Sequence, residues 1–92
     1  QNDQVANFGL GSIYFDQGKH EKALPHFQTL VENFPDYSVA YKLLGKTLEK
    51  LSKIDEALEV YKKGIATASK KGDLMPLKEM QSRQYQLLHS DS

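Results

Sequence analysis

The chain has 92 residues, enough for one small domain with a single modest core, and its 26% charged and 39% hydrophobic residues are typical of a soluble globular protein. Twelve basic residues balance twelve acidic ones, and zero net charge argues against a nucleic-acid binder, which usually shows a basic surface. Cysteine is absent, which excludes disulfides and thiol chemistry, and no apolar run is long enough to predict a membrane span.

The first predicted elements are two helices, from about Gln4 to Gln17 and from about Glu21 to Asn33, joined by the turn "DQGKH". Apolar residues in the second helix recur at the three-and-four spacing of one helical face. Pro25 has no backbone N–H and therefore suits the early turns of this helix, and Pro35 marks its end. Because the turn is short, the two helices are predicted to form an antiparallel hairpin.

The next two predicted helices repeat this hairpin. They run from about Ser38 to Leu51 and from about Asp55 to Ser69, joined by "LSKI", with the Ser38 hydroxyl as a predicted N-cap. A shift of 34 residues aligns the second hairpin with the first, and a fixed period of this length indicates stacked supersecondary units. The residues that coincide under the shift are Val5 and Val39, Ala6 and Ala40, Leu10 and Leu44, Gly11 and Gly45, Lys19 and Lys53, Ala23 and Ala57, and Leu24 and Leu58.

The coinciding small residues predict a close packing of the paired helices. Gly11 and Gly45 on one helix, with Ala23 and Ala57 on the next, are expected to let the two backbones approach closely. The larger apolar residues beside them are predicted to fill the remaining space. They are Leu10, Tyr14, Leu44 and Leu48.

This pattern resembles the tetratricopeptide repeat, whose period is 34 residues, over about Asn2 to Ser69. The resemblance implies an all-α helical-repeat fold, an α-solenoid made of two antiparallel helix hairpins. Asn7 departs from the family pattern, which usually has an aromatic residue there, and Gly64 replaces a small apolar residue. The matching positions are Leu10-Gly11, Tyr14, Gly18, Ala23-Leu24, Phe27 and Pro35 in the first copy, and Tyr41, Leu44-Gly45, Leu48, Ala57-Leu58 and Tyr61 in the second.

A fifth helix is predicted after "KKGD", from about Asp73 to His89, with Asp73 as N-cap and Pro76 in the first turn. It is expected to cap the second repeat, as the ends of a solenoid require. Two repeats at about 4–37 and 38–71 and a capping helix at about 73–89 make one domain, similar to small bacterial tetratricopeptide proteins. The predicted apolar stripe is Leu74, Leu77, Met80, Gln84 and Leu88, and the predicted solvent-facing residues are Lys78, Glu79, Arg83 and Gln86.

No residue pattern in the chain predicts catalysis, so we expect no enzyme activity, no cofactor and no metal. His20 and His26 are six residues apart, which is not the i, i+4 spacing that places two metal ligands on one helix face. The acidic pair Asp55-Glu56 stands at a helix start, where negative charge meets the helix dipole favourably.

The resemblance implies instead a concave groove lined by the first helix of each repeat, which binds a protein or peptide. Phe8 and Phe15 lie off the predicted packing positions, and Lys42, Lys46 and Lys50 form a basic stripe at i, i+4 and i+8. An acidic peptide would suit this stripe, although a solvated lysine face is the simpler interpretation. The family's clamp for a C-terminal carboxylate is not implied. The groove positions carried over are Val5, Phe8, Ser12, Phe15, Val39, Lys42, Lys46 and Glu49.

Self-association is the rival hypothesis, through the groove or the capping helix. Residues 1–37 contain two basic and five acidic residues, whereas residues 38–92 contain ten basic and seven acidic ones, so head-to-tail contact would join opposite charges. Two repeats are also fewer than the three usually needed for a stable stack. We expect no nucleic-acid partner, no membrane partner and a cytoplasmic location, although a chain that starts at Gln1 is compatible with a missing N-terminal address.

Overall fold

The computed structural model describes residues 3–90, and this part of the chain forms five α-helices and no strand. Each helix packs against the next one along the chain, and the fifth also contacts the third. The predicted all-α helical-repeat fold is confirmed, and the predicted helix bounds agree with the structure to within about two residues. The helices are α1 (Gln4–Asp16), α2 (His20–Asn33), α3 (Ser38–Lys50), α4 (Ile54–Lys71) and α5 (Leu74–Leu88).

The same turn ends three of the helices and makes the hairpins tight. After α1, α3 and α4, one residue adopts a left-handed conformation, with φ of 77° at Gly18, 63° at Ser52 and 75° at Gly72. The next residue then donates its backbone N–H to a carbonyl in the last turn of the helix, which satisfies a carbonyl that the helix leaves free. These bonds are Lys19 to Tyr14 at 2.8 Å, Lys53 to Leu48 at 2.8 Å and Asp73 to Ala68 at 2.9 Å.

The core is centred on α3, which contacts α2, α4 and α5. By contrast, α1 contributes only Asn7 and Gly11 to the buried residues. The protein is therefore well packed around its second hairpin and leaves α1 at an edge. The buried hydrophobic residues are Ala23, Phe27, Leu30, Ala40, Tyr41, Leu44, Leu48, Ala57, Tyr61, Ala68 and Met80.

The glycines of the repeat make room for aromatic rings of the paired helix, which adds the packing partner to the prediction that these glycines allow a close approach. A Cβ built on Gly11 would lie 2.6 Å from the ring of Phe27, and one on Gly45 would overlap the ring of Tyr61. Gly64 has the same role at the next interface, where a Cβ would overlap Met80 and lie 2.5 Å from the Cβ of Tyr41. The glycine that departs from the family pattern thus lets α5 pack closely on α4.

Burial differs between the two repeats at a position predicted to be core in both. Leu44 is 5% exposed, as predicted, but Leu10 is 45% exposed, so its predicted core role is wrong. The reason is that α3 has α2 packed before it, whereas no described helix precedes α1. On α5 the predicted apolar stripe is also only partly buried, because Met80 is fully buried but Leu74 and Leu88 are exposed.

Two of the predicted helix caps differ from the structure. Ser38 is the first residue of α3 rather than its N-cap, and its hydroxyl donates to Asp73 Oδ2 at 2.8 Å. Asp73 is at the N-cap position of α5 as predicted, but its carboxylate makes no hydrogen bond to the helix N–H groups. The two side chains instead join the first turns of α3 and α5, so they position the capping helix.

Candidate binding groove

The face shared by α3 and α5 carries two adjoining open clefts. One has a volume of about 490 Å³ and the other of about 360 Å³, and both are lined by Lys46 and Arg83. The remaining lining residues are also mostly charged, and basic residues outnumber acidic ones. In the larger cleft they are Glu49 and Lys50, and in the smaller one Lys42, Lys78, Glu79 and Ser82.

The four groove residues predicted on α1 differ in how much of each side chain is free. Val5 is 80% exposed and Phe8 is 37% exposed, with the Phe8 ring centroid 6.4 Å from that of Tyr37. Ser12 is half-buried. Phe15 is also half-buried, because it packs against the core and meets the ring of His20 edge-on at 4.8 Å. Of the two groove phenylalanines, Phe8 is therefore the one that a ligand can reach more easily.

The four groove residues predicted on α3 divide into free and paired side chains. Lys46 is exposed, and Val39 is half-buried. Lys42 and Glu49 are each paired with α5, through a Lys42 Nζ to Glu79 Oε1 distance of 2.7 Å and a Glu49 Oε1 to Arg83 Nη2 distance of 2.5 Å. Two of the four predicted positions thus connect α3 to the capping helix.

Glu79 is exposed, as the sequence predicts, but it also forms an ion pair with Lys42 on α3. Arg83 is half-buried rather than fully solvent-facing, because its side chain binds Glu49 on α3. A sequence signal was available, because Lys42 and Glu49 are seven residues apart on α3, and Glu79 and Arg83 are four apart on α5 with opposite signs. If α3 and α5 lie side by side, Lys42 can face Glu79 and Glu49 can face Arg83, so that opposite charges pair.

Glu49 is the centre of a hydrogen-bond network that joins three helices. Its Oε2 atom accepts a bond of 2.5 Å from the hydroxyl of Tyr61 on α4 and one of 3.1 Å from Arg83 Nε on α5. Its Oε1 atom accepts from Arg83 Nη2, so the arginine binds both carboxylate oxygens. The Tyr61 side chain is fully buried, and Glu49 satisfies its hydroxyl at the edge of the core.

This network shifts the titration of its members in opposite directions. Burial penalises the Glu49 carboxylate, but the hydrogen bonds from Arg83 and Tyr61 outweigh that penalty and hold its pKa below the ordinary value of 4.5. Burial, together with the hydrogen bond to the Glu49 carboxylate, raises the pKa of Tyr61 well above its ordinary value of 10. The hydrogen bond from Lys42 likewise lowers the pKa of Glu79.

Replacing Glu49 with glutamine should lower the free energy of unfolding by about 1–2 kcal/mol at neutral pH, because the charge-assisted bonds to Arg83 are lost. The effect stays modest because the Arg83 side chain is 40% exposed and water screens its charge. Urea unfolding of Glu49→Gln and of the control Glu59→Gln, an exposed residue of α4, measures the difference.

The same pair of proteins gives a pH test. A carboxyl whose folded pKa is lowered adds stability above its ordinary pKa and loses it as pH falls through the folded value. The difference in unfolding free energy between the parent and Glu49→Gln should therefore shrink below about pH 4.5. A difference that stays constant down to the acid transition would contradict the network.

Three lysines of the clefts remain available to a ligand. Within residues 3–90, Lys46, Lys50 and Lys78 form no ion pair, whereas Lys42 and Arg83 do. Lys46 lines both clefts and lies close enough to Glu49 and Glu79 to help hold their pKa values down. The clefts thus carry a surplus of positive charge that is centred on Lys46.

The histidines of the first hairpin pack between its two helices. His26 Nδ1 lies 2.9 Å from Asn7 Oδ1, and the His26 ring stacks on Tyr14 with centroids 5.8 Å apart. In residues 3–90, no group of three or more His, Asp or Glu side chains is arranged to hold a metal ion. Over the same part of the chain, no helix combines the length and apolarity that a membrane crossing needs.

Comparisons with known proteins agree with this architecture. The family model described as tetratricopeptide repeat matches residues 3–70. A TPR repeat-containing protein of Pseudomonas aeruginosa is 39% identical over 79 residues, which cover 86% of this chain and 75% of that protein.

Solved structures extend the likeness to the capping helix. The crystal structure of a tetratricopeptide repeat domain protein from Salinibacter ruber has a TM-score of 0.86 at 32% identity and covers 92% of this chain and 94% of its own. The solution structure of a Bordetella parapertussis protein also has a TM-score of 0.86, at 34% identity, covering 97% of this chain and 77% of its own. On the family model, the bacterial relative and the shared fold, the chain belongs to the tetratricopeptide repeat family.

Proposed function

We propose that the protein is a non-catalytic interaction module that binds a peptide segment of a partner protein in its concave groove. The tetratricopeptide fold commonly mediates protein–protein interaction, and two observations support a groove ligand here: an exposed aromatic residue on α1 and a lysine-rich cleft on α3 and α5. The groove is formed by Val5, Phe8, Ser12 and Phe15 on α1 and by Val39, Lys42, Lys46 and Glu49 on α3.

The apolar end of the groove supplies most of the affinity in this proposal. Val5 and Phe8 are both exposed, and Tyr37 lies beside Phe8. Buried aromatic side chains are the residues that most often dominate binding energy at protein interfaces. A partner side chain that covers Phe8 would remove this apolar surface from water, and we expect an aliphatic or aromatic residue there.

In this proposal the basic end of the groove orients the ligand and increases its association rate. Lys46, Lys50 and Lys78 are exposed, and each ion pair that such a lysine makes with a ligand contributes only about 0–1 kcal/mol. Clustered charges of one sign nevertheless steer an oppositely charged partner and increase its association rate. We therefore propose a peptide with an apolar anchor and acidic residues on the side that faces α3 and α5.

Peptides selected from a random displayed library on the immobilised protein provide a defined ligand for the test. Phe8→Ala should weaken their binding more than Lys46→Ala does, because the aromatic contact is desolvated and the lysine contact is not. Lys46→Ala should mainly reduce the association rate and its dependence on salt. Calorimetry and stopped-flow measurements at low and high salt separate the two effects.

Two exposed residues outside the groove are matched controls. Tyr85→Ala removes an exposed aromatic side chain from α5, and Lys63→Ala removes an exposed lysine from α4. Neither should change the affinity. The proposal fails if the groove variants bind the selected peptides as tightly as the parent, or if the controls weaken binding equally.

A second copy of the chain is the alternative occupant of the groove, and the uneven charge favours it. The net charge is −3 over residues 1–37 and +3 over residues 38–92, so two chains attract end to end. Sedimentation distinguishes the hypotheses, because a dimer abolished by Phe8→Ala supports groove self-association, whereas selected peptides that lose affinity for Phe8→Ala while its sedimentation matches the wild type support the interaction module.

A further inference from the structure

A second apolar stripe on α1 lies outside the groove. Ala6, Leu10 and Ile13 follow the i, i+4, i+7 spacing of one helix face, and we call this set the lateral face of α1. All three are exposed, with Leu10 at 45% and Ile13 at 55%. Contiguous exposed apolar residues of this kind mark interaction surfaces more often than isolated ones do.

The second repeat shows what the same face does when a helix covers it. The residues that follow 34 positions later on α3 are Ala40, Leu44 and Thr47, and all three are buried. The neighbour that α3 has and α1 lacks, within residues 3–90, is a preceding hairpin helix, which for α3 is α2. The lateral face of α1 therefore has the composition of a face that receives a helix.

An exposed face of a helix in a globular protein is normally polar. The lateral face is exposed within residues 3–90 and yet apolar, and Ile13 is more apolar than Thr47, its buried counterpart. Solubility alone would favour polar residues at these exposed positions. The apolar choice points to a helix that packs on α1.

The opposite end of the molecule presents a matching surface. Leu74, Tyr85 and Leu88 lie along one side of α5 and are 61%, 61% and 60% exposed, with the exposed Lys78 between them. We call these four residues the outer face of α5. The side of α5 that carries Met80 packs on α4, so the outer face is free among the described residues.

Charge determines which of these faces pair. The segment 3–16 has acidic residues at both ends, Asp3 and Asp16, and no basic residue. Two antiparallel α1 helices would bring Asp3 of one chain near Asp16 of the other, and like charges across an interface are unfavourable. Packing α1 against α5 instead places this acidic helix against a face that carries the exposed Lys78.

We propose that the lateral face of α1 in one copy packs on the outer face of α5 in the next copy. This contact is heterologous, so each chain uses a different surface on each side, and repeated contacts build a ring or an open stack. The stack continues the solenoid across chains and gives the two repeats neighbours that residues 3–90 do not supply. The groove stays open, because its residues lie on another face of α1.

Two variants that each disable one end test the proposal by sedimentation velocity. Leu10→Glu removes the lateral face, and Tyr85→Glu removes the outer face; both positions are exposed, so the fold should survive, as circular dichroism can verify. The wild type should show larger species as its concentration rises. Each variant alone should stay monomeric, and an equimolar mixture should form a dimer through the two intact faces. Ile54→Glu, at an exposed position on α4, is the control that should self-associate like the wild type.

Each alternative gives a different result in the same experiment. A dimer of Tyr85→Glu alone would show that two α1 faces pair and would overturn the proposal. A wild type that stays monomeric at every concentration, or a mixture that forms no dimer, would also overturn it. Association that survives Leu10→Glu but is lost in Phe8→Ala would assign self-contact to the groove instead.

Discussion

Replacing Gly45 with alanine is expected to lower the free energy of unfolding by about 1–3 kcal/mol, although alanine is the better helix former. A Cβ at this position overlaps the ring of Tyr61, which is fully buried. The ring has little freedom to move aside, because its hydroxyl is held by Glu49 at 2.5 Å. The overlap must therefore separate α3 from α4 or distort the network around Glu49.

Gly9 is the matched control for this substitution. It lies inside α1, and a Cβ built on it meets nothing within 4 Å, so Gly9→Ala should stabilise the protein by about 0.5–1 kcal/mol through helix propensity alone. Urea unfolding of both variants measures whether each substitution raises or lowers the free energy of unfolding. Equal stability of Gly45→Ala and the parent would mean that Tyr61 does not pack against α3 as described.

Deleting residues 72–92 should abolish cooperative unfolding and leave an aggregating or molten chain. The deletion removes Met80, which is fully buried and fills the space above Gly64. It also removes Arg83, so Glu49 loses its charged partner at the edge of the core. In the full chain α5 covers apolar residues of α4. When α5 is deleted, these residues are exposed to water.

A shorter deletion controls for the loss of the chain end. Removing only residues 90–92 leaves α5 complete and should not change the thermal melt. Thermal circular dichroism and sedimentation of both truncated proteins provide the comparison. If the chain ending at Lys71 stayed monomeric with the parent's cooperative melt, α5 would not be a cap.

The repeat architecture could be predicted from the sequence because the local signals for helix ends and the 34-residue period indicate the same helices. The 34-residue shift aligns the small and apolar positions, and left-handed residues at Gly18 and Gly72 end helices where the sequence breaks its pattern. Helix bounds depend on a few neighbouring residues. The sequence therefore predicts these bounds to within about two positions.

The tertiary pairings could not be predicted, because each depends on a helix that is distant in sequence. The sequence predicts Ser38 as a local N-cap, yet its hydroxyl donates to Asp73, which lies 35 residues away. The position of Arg83 on α5 predicts a solvent-facing side chain, yet it binds Glu49 on α3. Leu10 and Leu44 share one repeat position and differ in burial only because their neighbours differ.

The groove residues remain a prediction from the resemblance to the family. The structure adds that Lys42 and Glu49 are already paired with α5, while Phe8 and Lys46 remain accessible. A ligand that used Lys42 or Glu49 would compete with Glu79 or Arg83 for the same charges. Phe8 and Lys46 are therefore the groove residues on which the proposed function depends.

The most direct test of the proposed function is a map of backbone NMR shifts on titration with a selected peptide. The proposal predicts the largest shifts on the groove side of α1 and α3, around Phe8, Ser12 and Lys46, with little change at Glu32 on α2 or Lys63 on α4. Shifts concentrated on α2 and α4, with the groove unchanged, would contradict it.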